Sequence, residues 1–274
     1  MTHARATLGR IGGALAAAAL LVACIALAPA AAQTRFVFAN ESPYDTMDPH
    51  AAFDVGRVAV RLNLYDGLYR WEDNPPVLQP WLAESHTVSQ DGLTYTFKLR
   101  RGAKFHDGTE ITADDVVYSL ERILALKKGA ASLLGTMLAP GAAKALDKQT
   151  VQFTLAKPTA IFMAVMPEIH VVNAALLKKH EKDGDWGGAW LTSNDAGSGS
   201  YTLSRYDPAI GFIAKRFPGH FLPWGAKYID EMSAPVVTPR RVSGSPKSGS
   251  AKTTGPVRLS RGTCRRSRSR PLVT

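Results

Sequence analysis

The chain has 274 residues, of which 45% are hydrophobic and 20% are charged, values typical of a globular protein with one or two domains. Its formal net charge of +10 resides in its two ends, because residues 238–274 hold ten Lys and Arg, residues 1–32 hold two, and neither segment has an acidic residue. The body between them, residues 33–237, has 21 basic against 23 acidic residues and no cysteine, which excludes a strongly basic body, an internal disulfide and a thiolate metal site there.

The first 32 residues predict an export signal. Arg5 and Arg10 precede an apolar run over residues 11–28, which a proline and small residues follow. A basic start, an apolar segment and an Ala-x-Ala site are typical of a secretory signal peptide, so we expect cleavage after Ala32 and a periplasmic location. A transmembrane anchor fits less well, because the run is rich in alanine and ends at a helix breaker. In a second exported form, the Leu-Val-Ala-Cys sequence ending at Cys24 resembles a lipobox and predicts a lipid anchor.

The body begins with a predicted strand, loop and helix. Residues 35–39 are a β-type run, and residues 40–49 are rich in Asn, Pro and Asp, which favours a loop. A helical spacing of three and four then joins four apolar residues: Val55, Val58, Leu62 and Tyr65. We expect this helix to end at the Asp-Gly pair of 66–67. The prolines of 75–80 predict an irregular stretch after it.

Residues 89–124 give the clearest local prediction. A Gln-Asp-Gly turn precedes residues 93–99, where apolar and polar residues alternate as in a strand with one buried face. After a second turn, Thr112 opens a helix, and Asp115 stands where its carboxylate can reach back to complete the cap. The apolar stripe of this helix consists of Val116, Leu120, Ile123 and Leu124. Glu121 and Arg122 are predicted to face away from it.

The second half of the body predicts further strands and helices. Alternation indicates a strand at 150–155, two prolines bracket a short apolar helix at 158–167, and an Asn opens a helix at 173–179. Residues 201–216 predict two strands, and 228–237 predict one more. Strands and helices alternate irregularly, so the fold class is a mixed α/β body. Neither a phosphate-binding loop nor a dinucleotide-binding turn occurs in the sequence.

The sequence supplies no set of residues for catalysis. Its seven histidines are scattered, without a metal-ligand pair at i and i+4, and it has neither a Gly-x-Ser-x-Gly elbow nor a cysteine placed as a nucleophile. A hydrogen-bonded role explains His106 in its turn better than catalysis does. We therefore expect no enzyme activity, no metal and no cofactor.

The tail, residues 238–274, consists mainly of Arg, Ser, Thr, Gly, Pro and Lys, with no aromatic or acidic residue. Such a segment buries too little apolar area to fold, so we predict disorder. One interpretation is a nucleic-acid-binding arm that works through Arg265, Arg266, Arg268 and Arg270. The other is the out-of-frame translation of a GC-rich gene. An exported, slightly acidic body does not fit with a nucleic-acid-binding arm, and this mismatch favours the frameshift.

Five motifs in the body occur in a characteristic order: Asn-Leu-Tyr-Asp-Gly-Leu at 63–68, Trp-Leu-Ala-Glu-Ser at 81–85, the turn and strand of 89–100, Lys-Phe-His-Asp-Gly at 104–108, and the helix of 113–122. Together they closely resemble the family 5 extracellular solute-binding proteins of ABC importers, which include dipeptide-, oligopeptide- and nickel-binding proteins. The resemblance covers about residues 35–237. The family's Gly-Thr-Gly-Pro-Tyr is replaced at 197–201 by Gly-Ser-Gly-Ser-Tyr.

The resemblance implies a periplasmic-binding-protein type II fold with two lobes, which close over a buried solute. Residues 33–237 would form the first lobe and its extra subdomain, with the second lobe missing, so we expect a truncated and impaired copy. It implies a monomer that takes up a small solute and docks on ABC permease subunits of the inner membrane. A peptide is the first expectation, with a nickel complex, an opine or a sugar left open. A nucleic-acid-binding protein acting through the tail is the alternative function.

The resemblance also implies which residues face the solute. In the loop after the first strand these are Tyr44, Asp45 and Met47, and in a later segment they are Glu168 and His170. Groups that hold a peptide's termini come largely from the second lobe in relatives. The stretch of residues 82–122 marks the family, but we expect it to lie away from the ligand.

Overall fold

A computed structural model describes residues 33–51 and 53–237. The predicted signal peptide and the predicted basic tail both lie outside these residues. The ten strands in the described part are β1 (Arg35–Val37), β2 (Tyr69–Glu72), β3 (Val77–Pro80), β4 (Ala83–Val88), β5 (Thr94–Leu99), β6 (Ala143–Asp147), β7 (Thr150–Thr154), β8 (Tyr201–Asp207), β9 (Gly211–Arg216) and β10 (Glu231–Pro235).

Six α-helices lie between the strands of the described part: α1 (Val58–Leu64), α2 (Ala113–Leu126), α3 (Ala131–Leu134), α4 (Phe162–Val165), α5 (Ala174–His180) and α6 (Gly188–Leu191). Single 3₁₀ turns cover Val55–Arg57 and Met166–Glu168. Within the described part of the chain, no helix combines the length and apolar character that crossing a membrane requires.

The strands form two four-stranded sheets and one separate hairpin. The first sheet has the order β1-β10-β9-β8, with β1 parallel to β10 and the other neighbours antiparallel. The second has the order β4-β5-β7-β6 and is antiparallel throughout. The separate hairpin pairs β2 with β3. The mixed α/β prediction is therefore confirmed.

Two hydrophobic cores are built on these sheets, and α2 lies between them. The core on the second sheet includes Phe97 and Phe153 from the strands and Leu120 from α2. The core on the first sheet includes Phe212 from β9 and Tyr118, which projects from the other side of the same helix. Each fully buried large side chain contributes about 2 kcal/mol of stability, so α2 is held from both sides.

The cap predicted for α2 is present. Thr112 and the carboxylate of Asp115 form a capping box, in which Asp115 Oδ2 accepts a 2.9 Å hydrogen bond from the Thr112 backbone N–H. The other end of the helix is closed by Lys127 in the left-handed conformation, with φ of 53°. The strands predicted at 93–99 and 150–155 and the helix at 173–179 are confirmed within one or two residues.

Two predictions of local structure are wrong. Residues 75–80 are not irregular, since β3 pairs with β2, and Pro80 stands at the strand end, where a missing N–H costs little. Arg122 does not face outward, because it is fully buried. The helix lies between two cores, so its second face is also covered, and the guanidinium is neutralised by Asp48.

Candidate functional site

A cavity of about 180 Å³ lies between α1, the β2–β3 hairpin and the turn at Met166–Glu168. Its wall combines aromatic, cationic and acidic side chains with a buried histidine. The side chains that matter here are Arg61, Tyr65, Asp66, Tyr69, Arg70, Trp71, Trp81, Glu168 and His170. Three stretches of the chain, residues 58–71, Trp81 and residues 167–170, therefore contribute to one small site.

Two tryptophans form the aromatic part of the wall. Trp71 of β2 is 45% exposed, and its indole N–H donates to the carbonyl of Ala164 at 3.3 Å. Trp81 is buried, and the guanidinium of Arg70 stacks over its ring at 4.7 Å. The half-exposed indole of Trp71 offers a flat surface to an apolar group. The guanidinium of Arg70, which also lies 3.8 Å from Glu72, offers positive charge to an anion.

Asp66 is a buried acid whose hydrogen-bonding capacity is already used within the protein. It accepts hydrogen bonds from Trp81 Nε1 at 2.7 Å and from Ser198 Oγ at 2.9 Å, with His220 Nε2 at 3.6 Å. Burial acts to raise the pKa of Asp66, but His220 and these two hydrogen bonds outweigh it and lower the pKa. Asp66 is therefore an ionised structural anchor of the site.

The Gly-Ser-Gly sequence at 197–199 fits closely against the end of α1. A Cβ on Gly197 would lie 1.9 Å from the Leu64 carbonyl oxygen, and a Cβ on Gly199 would lie 2.3 Å from that of Asn63. Only glycine permits this approach. The close contact brings Ser198 within hydrogen-bond distance of Asp66, which is one of the residues that line the cavity.

His170 is the least satisfied polar group of the cavity. Its side chain is buried, and neither ring nitrogen has a hydrogen-bond partner among the described residues. Burial is the main cause that lowers the pKa of His170 to about 3, and the nearby His50 and Arg61 side chains lower it further. The ring is therefore neutral at physiological pH and offers one N–H donor and one acceptor. Buried polar groups normally have partners, which makes this ring a candidate for contacting a ligand.

Glu168 lies beside His170 at the same cavity. It is half-buried, and burial raises its pKa while the guanidinium of Arg61 acts in the opposite direction. Among the described residues, no group of three or more His, Cys, Asp or Glu side chains is placed to hold a metal ion.

The other three predicted site residues lie elsewhere. Tyr44 and Met47 are fully buried in the core of the first sheet, where the Tyr44 ring packs edge-on against Phe212 at 4.9 Å. Asp45 is exposed and forms an ion pair with Arg57. Only Met47 has a link to the cavity, since its carbonyl accepts a hydrogen bond from Tyr65 at 3.1 Å. The structure thus brings two of the five residues to the cavity, and solute contact stays a prediction for all five.

Sequence reasoning missed the aromatic wall. Tyr69 and Trp71 alternate with polar residues in β2, which is a strand signal. The prolines at 75, 76 and 80 obscure this signal, because proline usually interrupts a strand. The fold and the cavity together define a lobe of mixed α/β architecture with a small cavity beside α1, and comparison with known proteins gives the family.

The family model described as bacterial extracellular solute-binding proteins, family 5 middle, matches residues 77–260. This range covers more than half of the chain, so the chain belongs to this family. The matched range passes the boundary predicted at 237. A curated relative, the glutathione-binding protein GsiB of Escherichia coli O1:K1, is 35% identical over 211 residues, which cover 76% of this chain and 38% of the relative.

Two solved structures show the same fold. AgaA in complex with agropinic acid, from A. tumefacien R10, has 28% identity and a TM-score of 0.61, and the match covers 74% of this chain and 40% of that one. DppA from Helicobacter pylori, in complex with the peptide STSA, has 24% identity and a TM-score of 0.64, with coverages of 75% and 43%. The chain therefore spans about two fifths of the length of the relatives that it matches.

Proposed function

We propose that this chain provides the first lobe of a solute receptor for an ABC importer, and that the solute is a small peptide-like molecule with a carboxylate. The observation that carries the proposal is the cavity at His170, where a neutral imidazole without a partner lines a wall that also contains Arg70 and Trp71. Membership of the family and the relationship to a glutathione-binding protein support it.

The chemistry of the wall favours a carboxylate-bearing solute. The imidazole N–H of His170 can donate to a carboxylate oxygen, and the guanidinium of Arg70 adds positive charge. The half-exposed indole of Trp71 can cover an aliphatic stem. Glutathione is a tripeptide with two carboxylates, and agropinic acid, the ligand of AgaA, is also an acid. Glutathione is therefore the first solute to test, before a nickel complex, another opine or a sugar.

The size of the cavity indicates that it holds only part of the solute. Its 180 Å³ is less than the roughly 300–1,000 Å³ of pockets that enclose a whole small molecule. In a bilobed receptor the second lobe would supply the opposing wall, so we expect this chain alone to bind weakly, with a Kd on the order of millimolar. The proposed role is binding and delivery to permease subunits as a monomer, without chemistry on the solute.

Titration of the full chain with glutathione, followed by tryptophan fluorescence and calorimetry, tests the proposal. We expect saturable binding that His170→Ala weakens by about tenfold, the equivalent of one lost hydrogen bond to a charged group. His180→Ala is a matched control, because His180 stacks on Trp190 outside the cavity. Binding that both variants weaken equally, or no saturable binding of any carboxylate-bearing peptide, would contradict the proposal.

The two ends of the chain extend this proposal. We propose that residues 1–32 direct export to the periplasm and are removed after Ala32, with lipidation of Cys24 as the alternative. The mass of the mature N-terminus separates these outcomes, since one begins at Gln33 and the other at a lipidated Cys24. We also propose that residues 238–274 arise from a frameshift. Comparison of the other reading frames after codon 237 tests this, and a family sequence that continues to residue 260 only in the present frame would contradict it. Nothing in the comparisons supports the nucleic-acid alternative.

A further inference from the structure

Helix α2 carries an unusual set of polar residues on a buried face. Asp115, Ser119 and Arg122 follow one another at spacings of four and three, which places them on one side of the helix. None of the three is more than 9% exposed. Burying a carboxylate, a hydroxyl and a guanidinium in a helix surface is costly unless each one has a defined partner.

The partners are backbone groups of the segment 170–174. Asp115 Oδ1 accepts a hydrogen bond from the Ala174 N–H at 3.1 Å. Ser119 Oγ accepts one from the Val172 N–H at 3.0 Å and donates its own proton to the Asp115 carbonyl at 2.6 Å. Two of the three side chains therefore bind the segment directly.

Arg122 reaches the same segment through His50. Arg122 Nη1 lies 3.0 Å from His50 Nδ1, and His50 Nε2 lies 2.8 Å from the His170 carbonyl oxygen. A guanidinium is always a donor, so Nδ1 must accept and Nε2 must carry the proton. The arginine thus fixes the tautomer in which His50 donates to His170. Asp48 neutralises the guanidinium by accepting two hydrogen bonds from it, at 2.9 and 2.6 Å.

The contacts fall on every second residue of the segment, and in reverse order along the helix. Residues 174, 172 and 170 meet the helix positions 115, 119 and 122 in turn. Three or four residues of helix rise about 4.5–6 Å, and two residues of extended chain span about 6.6 Å. The two spacings match closely enough for side chains on one face of α2 to hydrogen-bond, directly or through His50, with backbone groups of alternate residues in the segment. A slip of the segment by one residue would break every contact.

We propose that Asp115, Ser119, Arg122 and His50 form a positioning ladder that sets the register of segment 170–174 and so holds the His170 imidazole at the cavity. The opposite edge of the segment is pinned as well, since the Val171 N–H donates to the Asp66 carbonyl at 2.8 Å. If the proposed function holds, Asp115, Ser119 and Arg122 of α2 affect solute binding without touching the solute, and this consequence rests on the proposed function.

The test compares His50→Leu with His50→Gln. Glutamine keeps an N–H donor for the His170 carbonyl, whereas leucine keeps the volume and loses the donor. In the full chain labelled uniformly with ¹⁵N, which reports both histidine rings and backbone amides, we expect His50→Leu to move the ring ¹⁵N resonances of His170, and His50→Gln to leave them close to wild type. For glutathione, we expect affinity to fall by about tenfold in His50→Leu and by less than about threefold in His50→Gln.

Two further variants keep the test decisive. Val151→Ala truncates a buried side chain of β7 and controls for general destabilisation, so it should leave the His170 resonances unchanged. Ser119→Ala removes the bond to Val172 at little change in volume, and should move the amide resonance of Val172 even where His50→Leu fails to fold.

The outcomes separate the ladder from the proposed function. Unchanged His170 and Val172 resonances in folded variants would overturn the ladder, as would equal shifts in His50→Leu and His50→Gln. A wild-type chain that binds no solute, but in which His50→Leu alone moves the His170 ring, would support the ladder and remove the proposed function.

Discussion

The two sheets differ in the polarity of their edge strands. In the second sheet, which we call the closed sheet, the edge strand β4 is exposed from Glu84 to Val88, and four of these five residues are polar. In the first sheet, which we call the open sheet, all three residues of the edge strand β1 are exposed. An apolar groove of about 470 Å³ lies along that edge. The closed sheet thus presents a mostly polar edge at β4, while the open sheet presents an apolar edge at β1.

The difference follows from where the strands come from in the chain. The closed sheet is assembled from residues 83–154, so its pairings are mostly local. The open sheet joins Phe36 to Met232, from the two ends of the described chain. Strands that are far apart in the sequence must close a long loop before they can pair. The entropy cost of that closure comes before the strand contacts can offset it. Because the chain spans about two fifths of its relatives' length, we expect further segments of such proteins to cover the open edge.

Matched phenylalanine truncations should show the largest contrast between the sheets. Phe97 is fully buried in the closed sheet, so Phe97→Ala should cost roughly 3–5 kcal/mol of unfolding free energy. Phe36 is 48% exposed in the open sheet, so Phe36→Ala should cost under about 1 kcal/mol. Urea denaturation followed by circular dichroism measures both. Equal losses would show that the open edge is covered in solution.

The second prediction concerns the tie between the sheets. Arg122 joins the closed sheet's helix to Asp48, in the loop that follows β1. Arg122→Leu leaves the buried Asp48 carboxylate without its partner and should cost about 3 kcal/mol. Arg101→Leu is the control, because Arg101 is exposed and its loss should change stability by less than about 0.5 kcal/mol. A similar small change in both variants would mean that Asp48 is solvated.

These two predictions show what sequence reasoning can reach. The alternation around Phe97 predicts a buried strand, because the signal lies within seven neighbouring residues. The burial of Arg122 was not predictable in that way, because its partners Asp48 and His50 lie 74 and 72 residues away in the sequence. The cavity likewise depends on bringing Trp71 and His170 together, which only the packed tertiary structure does. The resemblance to the family supplied Glu168 and His170, and no local pattern singled out either residue.

A third and smaller effect should appear in the dependence of stability on pH. His106 places one ring nitrogen 2.6 Å from Asp195 Oδ2 and the other 3.0 Å from the Gly199 carbonyl oxygen. Burial acts to lower the pKa of His106, but Asp195 outweighs it, so the pKa is raised. The stabilisation is therefore fully present below the unfolded pKa of about 6.5 and is lost as pH rises through the folded value.

His50 and His170 should act in the opposite direction. Burial lowers the pKa of His50 to about 4 and that of His170 to about 3. Their neutral forms are favoured by folding, so stability falls as pH drops below about 6.5. Thermal melts from pH 4 to pH 9 should show a maximum near pH 6.5, and His106→Gln should flatten only the alkaline side. A His106→Gln variant that keeps the wild-type alkaline slope would show that His106 is not charged in the fold.

The smallest change in stability is expected at β1, although its effect on association is large. Val37 is 57% exposed on the open edge, so Val37→Lys should change the unfolding free energy by less than about 0.5 kcal/mol. An exposed apolar edge strand is a template for pairing with another chain, and a lysine there opposes such pairing. Light scattering at rising protein concentration should therefore show association in the wild type and less of it in Val37→Lys. Val88→Lys is the matched control, because Val88 is 46% exposed and lies on β4 of the closed sheet. A wild-type chain that melts cooperatively at monomer mass would mean that the open edge is already protected, and the apolar character of β1 would then not separate the two sheets.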